Sequence, residues 1–210
     1  AGMGADLYES YCGSILATAS LGAAMFVGKN DAEMQFNFII TPMIIAAIGI
    51  VLSLIGIFMV KTKEGATQKD LLASLGTGVN VSSFLIAVAS YFLLMYMGLD
   101  NYLGIWGSII TGLITGIIIG KTTEYYTSHS FKPTQTVADN AKTGHATVII
   151  AGLGLGMLST AIPVITVVIG TVLSFLFAAG GDVTNVGIGL YGIGIAAVGM
   201  LSTLGITLAT

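Results

Sequence analysis

The sequence has no arginine, one cysteine (Cys12) and three prolines in 210 residues. The missing arginine and a formal net charge of −3 leave no cationic face, which excludes nucleic acid as a partner. A lone cysteine excludes an intrachain disulfide framework. Charge of either sign is scarce, at 8% of residues against roughly 25% in soluble chains, too little to clothe a soluble surface. No basic segment precedes the first apolar run, so the opening residues do not read as a signal peptide. What is abundant is apolar: hydrophobic residues reach 55% and mean hydropathy is +0.95. The 29 glycines are about twice the usual ~7% and lack a collagen period. Such an excess suits closely packed transmembrane helices, whose backbones approach where side chains are small.

A bilayer core needs about 20 apolar residues per helix. The apolar runs predict six spans, near 3–28, 38–60, 71–98, 102–121, 145–179 and 185–210. They are long and continuous, which excludes the alternating pattern of a membrane β-barrel. Pro42 reads as lying near the start of the second span, where its missing N–H costs little, whereas Pro163 should kink the fifth. Both chain ends fall in or beside apolar stretches, so the expectation is an internal piece of a longer membrane protein. The connections at 61–70 and 121–143 carry Lys61, Lys63, Lys69, Lys121, Lys132 and Lys142, whereas the opposite connections carry only Lys29. With six spans the two lysine-rich connections share a side, and the lysine bias makes that side cytoplasmic.

Two acids remain outside the loops. Asp6 and Glu9 stand three apart on the first helix and share a face. Steps of four continue through Ser10, Ser14, Thr18 and Gly22 as a polar stripe. An ionisable group within a span is costly and points to function; an acid merely resting among lipid headgroups is the alternative. Elsewhere the motifs are structural. Gly187-Ile188-Gly189-Leu190-Tyr191-Gly192 spells a dinucleotide fingerprint without the strand or βαβ unit that such a site requires. Gly104, Ser108, Gly112, Gly116 and Gly120, and likewise Gly152, Gly156 and Thr160, make small-residue stripes suited to helix contacts. The sequon at Asn80 lies inside a span, and His129 and His145 lack metal spacing. Tyr125, Tyr126 and Trp106 suit an interfacial aromatic belt. The polar connection 121–143 is long; it either docks under the bundle, shapes a cytoplasmic site, or is simply solvated.

Three tracts carry a family likeness: Gly2-Met3-Gly4-Ala5-Asp6-Leu7-Tyr8-Glu9-Ser10-Tyr11, the stretch from Phe131 to Gly144, and Gly152-Leu153-Gly154-Leu155-Gly156. Together they resemble the membrane-integral, ion-pumping inorganic pyrophosphatases, and over the whole chain the likeness is to the bacterial sodium-pumping type. The resemblance implies an all-α polytopic bundle of about sixteen helices, of which this chain would supply the sixth to the eleventh. It implies a homodimer in the inner cell membrane that hydrolyses magnesium pyrophosphate on the cytoplasmic side and moves Na⁺ or H⁺ through a gate. Asp6, Glu9 and Ser10 match the gate motif on the sixth helix, where the two carboxylates and the hydroxyl would offer oxygens to Na⁺. Plant proton-pumping relatives carry the gate glutamate seven positions after this aspartate; here that position is Gly13.

By the same resemblance the pyrophosphate and magnesium ligands cluster on helices five, six, eleven, twelve, fifteen and sixteen, with the acidic run of helix six just before residue 1 and that after helix eleven just beyond residue 210, so this chain carries almost none of the hydrolytic site. The chain alone is therefore expected to be catalytically inactive, with the rest of its own polypeptide as its first partner. Mg²⁺ and Na⁺ are the implied cofactors. K⁺ stays open, because the position that decides it falls after residue 210. A segment of a non-hydrolytic cation channel or secondary transporter is the alternative reading, since glycine-rich spans with buried acids occur there too. The lysine bias yields a direct test. Cysteines placed at Lys63 and Lys132 in the full-length protein should both react with an impermeant maleimide in inverted vesicles and neither in intact cells.

Overall fold

The computed structural model describes residues 2–28, 31–62, 65, 67–99, 101–203 and 206. Among them the regular structure is all helical: α1 (Gly2–Ala24), α2 (Ala32–Met59), α3 (Gln68–Met97), α4 (Tyr102–Thr127), α5 (Lys132–Asn140), α6 (His145–Ser159), α7 (Ala161–Ala178) and α8 (Val186–Leu201). Among the described residues four stretches are long and apolar enough to cross a membrane, namely Ala32–Met59, Asp70–Met97, Tyr102–Asn140 and His145–Ala178. The chain is thus a polytopic helical membrane segment. The apolar α8 is shorter, at 16 residues.

Local chemistry sets the helix ends. The Asp31 carboxylate accepts the Met34 N–H at 3.0 Å and opens α2. Thr67 and Asp70 form a reciprocal capping box at the start of α3. At the end of α7 the Gly181 N–H reaches back to the Leu176 carbonyl at 2.9 Å and Gly180 to Phe177 at 3.2 Å, a Schellman closure. That closure needs left-handed backbone at Gly180, which glycine adopts without steric cost. In the turn that follows, the Thr184 N–H and hydroxyl both donate to Asp182 Oδ1 and hold that carboxyl below its ordinary range.

The prolines correct one expectation and refine another. Pro42 is not near a helix start, because α2 begins ten residues before it. It sits mid-helix, where the Phe38 carbonyl loses its i+4 donor. The Tyr191 phenol supplies the missing hydrogen bond, donating to Phe38 O at 2.9 Å. A buried carbonyl left unpaired costs about 1–3 kcal/mol, so the phenol is what makes this proline tolerable. The fifth predicted span is broken into α6 and α7 at Thr160, three residues before Pro163. The ring there would collide with the carbonyl of Ser159, four residues back. The predicted loop 121–143 is also more ordered than expected, since α4 runs on to Thr127 and α5 occupies 132–140.

The chain forms two compact units, Ala1–Ile114 with Gly170–Thr210, and Thr115–Ile169. In the first, α2 packs on α3, and α1 packs on both α2 and α8. The buried centre includes Phe38, Ile45, Ile86, Leu94, Ile105, Ile109, Tyr191, Ile195 and Val198. Lipid tails are as apolar as leucine, so close packing and interhelical hydrogen bonds must hold such helices together. Donors reach across to main-chain carbonyls throughout: Tyr11 to Ala46 at 3.0 Å, Gln35 to Ala23 at 3.0 Å, Ser108 to Ser174 at 2.8 Å and Asn101 to Ala178 at 2.7 Å. Trp106 joins this set. Its indole N–H donates to Ala87 O at 2.8 Å and its ring meets Tyr91 edge-on, because a half-buried indole needs an acceptor.

The second unit contains the end of α4, the helices α5 and α6, and the start of α7. Phe131 leans on Tyr125 with ring centroids 5.3 Å apart. Thr134 donates to Tyr126 O at 3.1 Å, and Thr147 donates to Asn140 O at 3.0 Å, which ties α6 to the end of α5. The exposed pair Lys142–Asp139 links the turn after α5 to its last residues, where solvent screens it to little net value.

Glycine decides the closest approaches. A Cβ on Gly112 would run into the Ala196 carbonyl of α8, and one on Gly192 into Ala178 Cβ of α7. Overfilling such a contact costs about 1–3 kcal/mol. In the full-length protein Gly112→Ala should lower the thermal-inactivation midpoint by several degrees, despite alanine's higher helix propensity. Ile114→Ala, on the exposed side of the same helix, should lower it less; differential scanning fluorimetry in detergent reads both.

Candidate functional site

The candidate residues Asp6, Glu9 and Ser10 occupy the first three turns of α1, and all three are exposed among the described residues. The Ser10 hydroxyl donates to the Asp6 main-chain carbonyl at 2.9 Å. Its only proton is thus spent within the helix, and its oxygen faces outward as an acceptor. Ser14 and Thr18 repeat the arrangement, donating to Ser10 O at 2.8 Å and Ser14 O at 2.7 Å. Two carboxylates and one such hydroxyl within two turns present only hard oxygen acceptors, a donor set that suits Na⁺ and not a soft metal.

The stripe does not keep to one face. A step of four residues overshoots a full turn by about 40°, so four steps swing the side chains through about 160°. Asp6 and Ser10 are accordingly exposed, Ser14 is half-buried, and Thr18 and Gly22 are buried. At Thr18 the partner is α8, since a Cβ on Gly194 would come within 2.6 Å of the Thr18 hydroxyl. At Gly22 the partner is α2, since a Cβ there would come within 2.9 Å of the Phe38 carbonyl. The lower part of the stripe is helix packing, and the acceptor-rich part is confined to Asp6, Glu9 and Ser10.

On the opposite side of α1 an apolar cleft of about 270 Å³ separates it from α2 and α8, lined by Leu7, Tyr11, Ile50, Leu54, Ile57 and Leu201 among others. Tyr11 spans its wall to Ala46. α1 therefore shows an apolar side to its own bundle and an acidic side away from it. Among the described residues, no three His, Cys, Asp or Glu side chains gather as a metal centre.

The small-residue stripes divide similarly. Gly104 lies against the Phe177 carbonyl, Ser108 donates to Ser174 O, and Gly112 lies against Ala196. Gly116 is half-buried, and a Cβ on Gly120, Gly152 or Gly156 meets nothing within 4 Å. The glycine-rich fingerprint lies wholly within α8, where Gly189 accommodates the Phe175 ring and Gly192 the Ser174 carbonyl. Sequence reasoning missed the meeting of Tyr191, Phe38 and Pro42. The available signal was a proline with ten helical residues before it, which always orphans a carbonyl.

The family model described as inorganic H⁺ pyrophosphatase matches residues 1–210. A Bacteroides thetaiotaomicron protein, provisionally named a K(+)-stimulated pyrophosphate-energized sodium pump, is 65% identical over 210 residues, covering 100% of this chain and 29% of that protein. The K(+)-insensitive pyrophosphate-energized proton pump of Methanosarcina mazei is 38% identical over 213 residues, with 100% and 29% covered. The K(+)-stimulated pyrophosphate-energized sodium pump of Thermotoga maritima is 36% identical over 219 residues, with 95% and 29% covered. The chain spans about three tenths of the length of these curated relatives. A match that runs from the acidic turns of α1 through every described helix leaves one assignment: the chain belongs to the inorganic H⁺ pyrophosphatase family.

Proposed function

We propose that this chain is the ion-gate portion of a pyrophosphate-energised cation pump, with Na⁺ as the transported ion. The observation that supports the reading is the pairing of Asp6 and Glu9 on the exposed face of α1, within a chain similar along its length to named sodium and proton pumps. Two carboxylates one turn apart repel each other, and that repulsion is costlier in a low-dielectric surrounding. A cation between them removes that penalty. Ser10, with its proton committed to the Asp6 carbonyl, adds an acceptor and no competing donor.

The whole pump would sit in the inner membrane as a homodimer, with 61–70 and 121–143 facing the cytoplasm. Mg²⁺ would accompany pyrophosphate, neutralising phosphate charge while water attacks. By the family resemblance the magnesium ligands lie outside this chain, and among the described residues no three His, Cys, Asp or Glu side chains gather. The role left to this chain is to bind and release the transported ion as its helices shift, and by itself it hydrolyses nothing.

Neutralising Glu9 tests the reading. In the full-length enzyme Glu9→Gln keeps the side-chain shape and removes one charge. Coupling between sites of this kind is commonly worth about 5- to 150-fold. Sodium activation of phosphate release should therefore weaken by at least about 5-fold, with sodium uptake into inverted vesicles falling in step and the KM for magnesium pyrophosphate within about two-fold of wild type. Wild-type sodium activation and uptake would remove Glu9 from the gate.

A further inference from the structure

Three helices converge on one carbonyl. Phe38 O lacks its helical donor because residue 42 is proline, and it receives the Tyr191 phenol of α8 at 2.9 Å. On its other side α1 comes so close that a Cβ on Gly22 would stand 2.9 Å from the same oxygen. The Phe38 ring packs edge-on against Tyr191, with centroids 5.0 Å apart, and tilted against Phe26 at 5.3 Å. Phe38 and Tyr191 are both almost wholly buried, at 1% and 0% exposure. Among the described residues the Tyr191 phenol is the side chain that donates to this carbonyl.

One turn beyond Tyr191 on α8, Gly194 lies against Thr18, the last hydroxyl of the ladder that begins at Asp6. α8 therefore meets α2 through the Tyr191 phenol, which donates to Phe38 O and also neighbours the Thr41 hydroxyl, and meets α1 through a glycine contact one turn away. A slide of α8 along its axis would break the first and disturb the second together.

We propose that Tyr191 is a positioning residue: by capping the carbonyl that Pro42 leaves unpaired, it sets the axial register of α8 against α2 and α1, and so holds the helix that carries Asp6, Glu9 and Ser10. The assignment of an ion gate to those three residues is the reading on which the functional half of this proposal rests. Pro42 and Tyr191 form a complementary pair. The proline removes a donor from within α2, and the tyrosine returns one from α8, which converts an intrahelical bond into an interhelical one. An ordinary residue at 42 would satisfy Phe38 internally and make the phenol dispensable.

That complementarity gives the test. Tyr191→Phe, Pro42→Ala and the double variant are prepared in the full-length protein, alongside Glu9→Gln. Thermal-inactivation half-life reads the latch, and the sodium concentration for half-maximal phosphate release reads its effect on the ion site. Tyr191→Phe alone should shorten the half-life and raise the sodium requirement about 5-fold, the lower end of usual intersite coupling, with the KM for magnesium pyrophosphate unchanged. Adding Pro42→Ala should restore both to within about two-fold, because the new N–H reaches the Phe38 carbonyl. If the two substitutions are merely additive in half-life, the latch is overturned. If they couple in half-life but Tyr191→Phe leaves sodium activation at wild type while Glu9→Gln weakens it, the positioning role is overturned. If Glu9→Gln itself behaves as wild type, the gate reading has failed, and the half-life cycle still decides the latch. Should Tyr191→Phe not fold, recovery of folding by Pro42→Ala supports the latch and its absence overturns it.

Discussion

The fold depends on main-chain carbonyls being satisfied from neighbouring helices, and the carbonyl of Phe38 is the point where this matters most. A helix in lipid normally closes all its hydrogen bonds internally and has no need of its neighbours. Pro42 opens one such bond in the middle of α2, and the Tyr191 phenol closes it from α8. Because apolar burial gives little driving force between helices in lipid, a specific bond of this sort decides which face of α8 meets α2 and at what height. The edge-on ring of Phe38 and the close pass of Gly22 are consistent with that one register. Hydrogen bonds from Tyr11, Gln35, Ser108, Asn101 and Trp106 repeat the principle at other crossings, each delivering a side-chain donor to a carbonyl of another helix.

Glycine makes these bonds reachable. A phenol or a hydroxyl can find a carbonyl across an interface only if the two backbones lie close, and a Cβ at Gly112, Gly192 or Gly194 would push them apart. Gly104, Ser108 and Gly112 bring α4 against α7 and α8, and Gly192 brings α8 against α7, so Ser108 can reach Ser174 O at 2.8 Å. The scarcity of charge follows from the same design. Exposed apolar side chains such as Phe58, Tyr96 and Met157 suit lipid or further helices and would be a liability in water.

The first helix joins this packing scheme to the proposed chemistry. Its polar ladder starts exposed at Asp6 and Ser10 and ends buried at Thr18, because the helical repeat carries residues four apart around the axis. One end of the ladder is a pair of carboxylates, oxygen acceptors with no donor to offer each other, and the other is a hydroxyl wedged beneath Gly194. A displacement of α8 would thus reach the acidic turns through a rigid helix and no intervening loop. Such a link transmits position without any charge moving through it.

Composition, run length and a few local signals carried much of this in one dimension. The shortage of charge and the long apolar runs established an all-helical membrane segment, since burial in lipid is a bulk requirement that composition meets directly. The tract around Asp6 and Glu9, with those at 131–144 and 152–156, carried the family, because motif residues are contiguous along the chain. The break ahead of Pro163 was legible because a proline ring acts on its own helix. Pro42 was misread because its effect depends on where α2 begins, ten residues upstream, and on a donor 149 positions later in the chain. The small-residue stripe at Gly104, Ser108 and Gly112 announced a close contact but not that Phe177, Ser174 and Ala196 would fill it. Which half of the Asp6 ladder is open, and which is packed, followed only from the neighbours of α1. A sequence specifies what each helix can bury or bond; which partner answers is settled only when the helices dock, since each hydrogen bond across them needs two distant residues brought within about 3 Å.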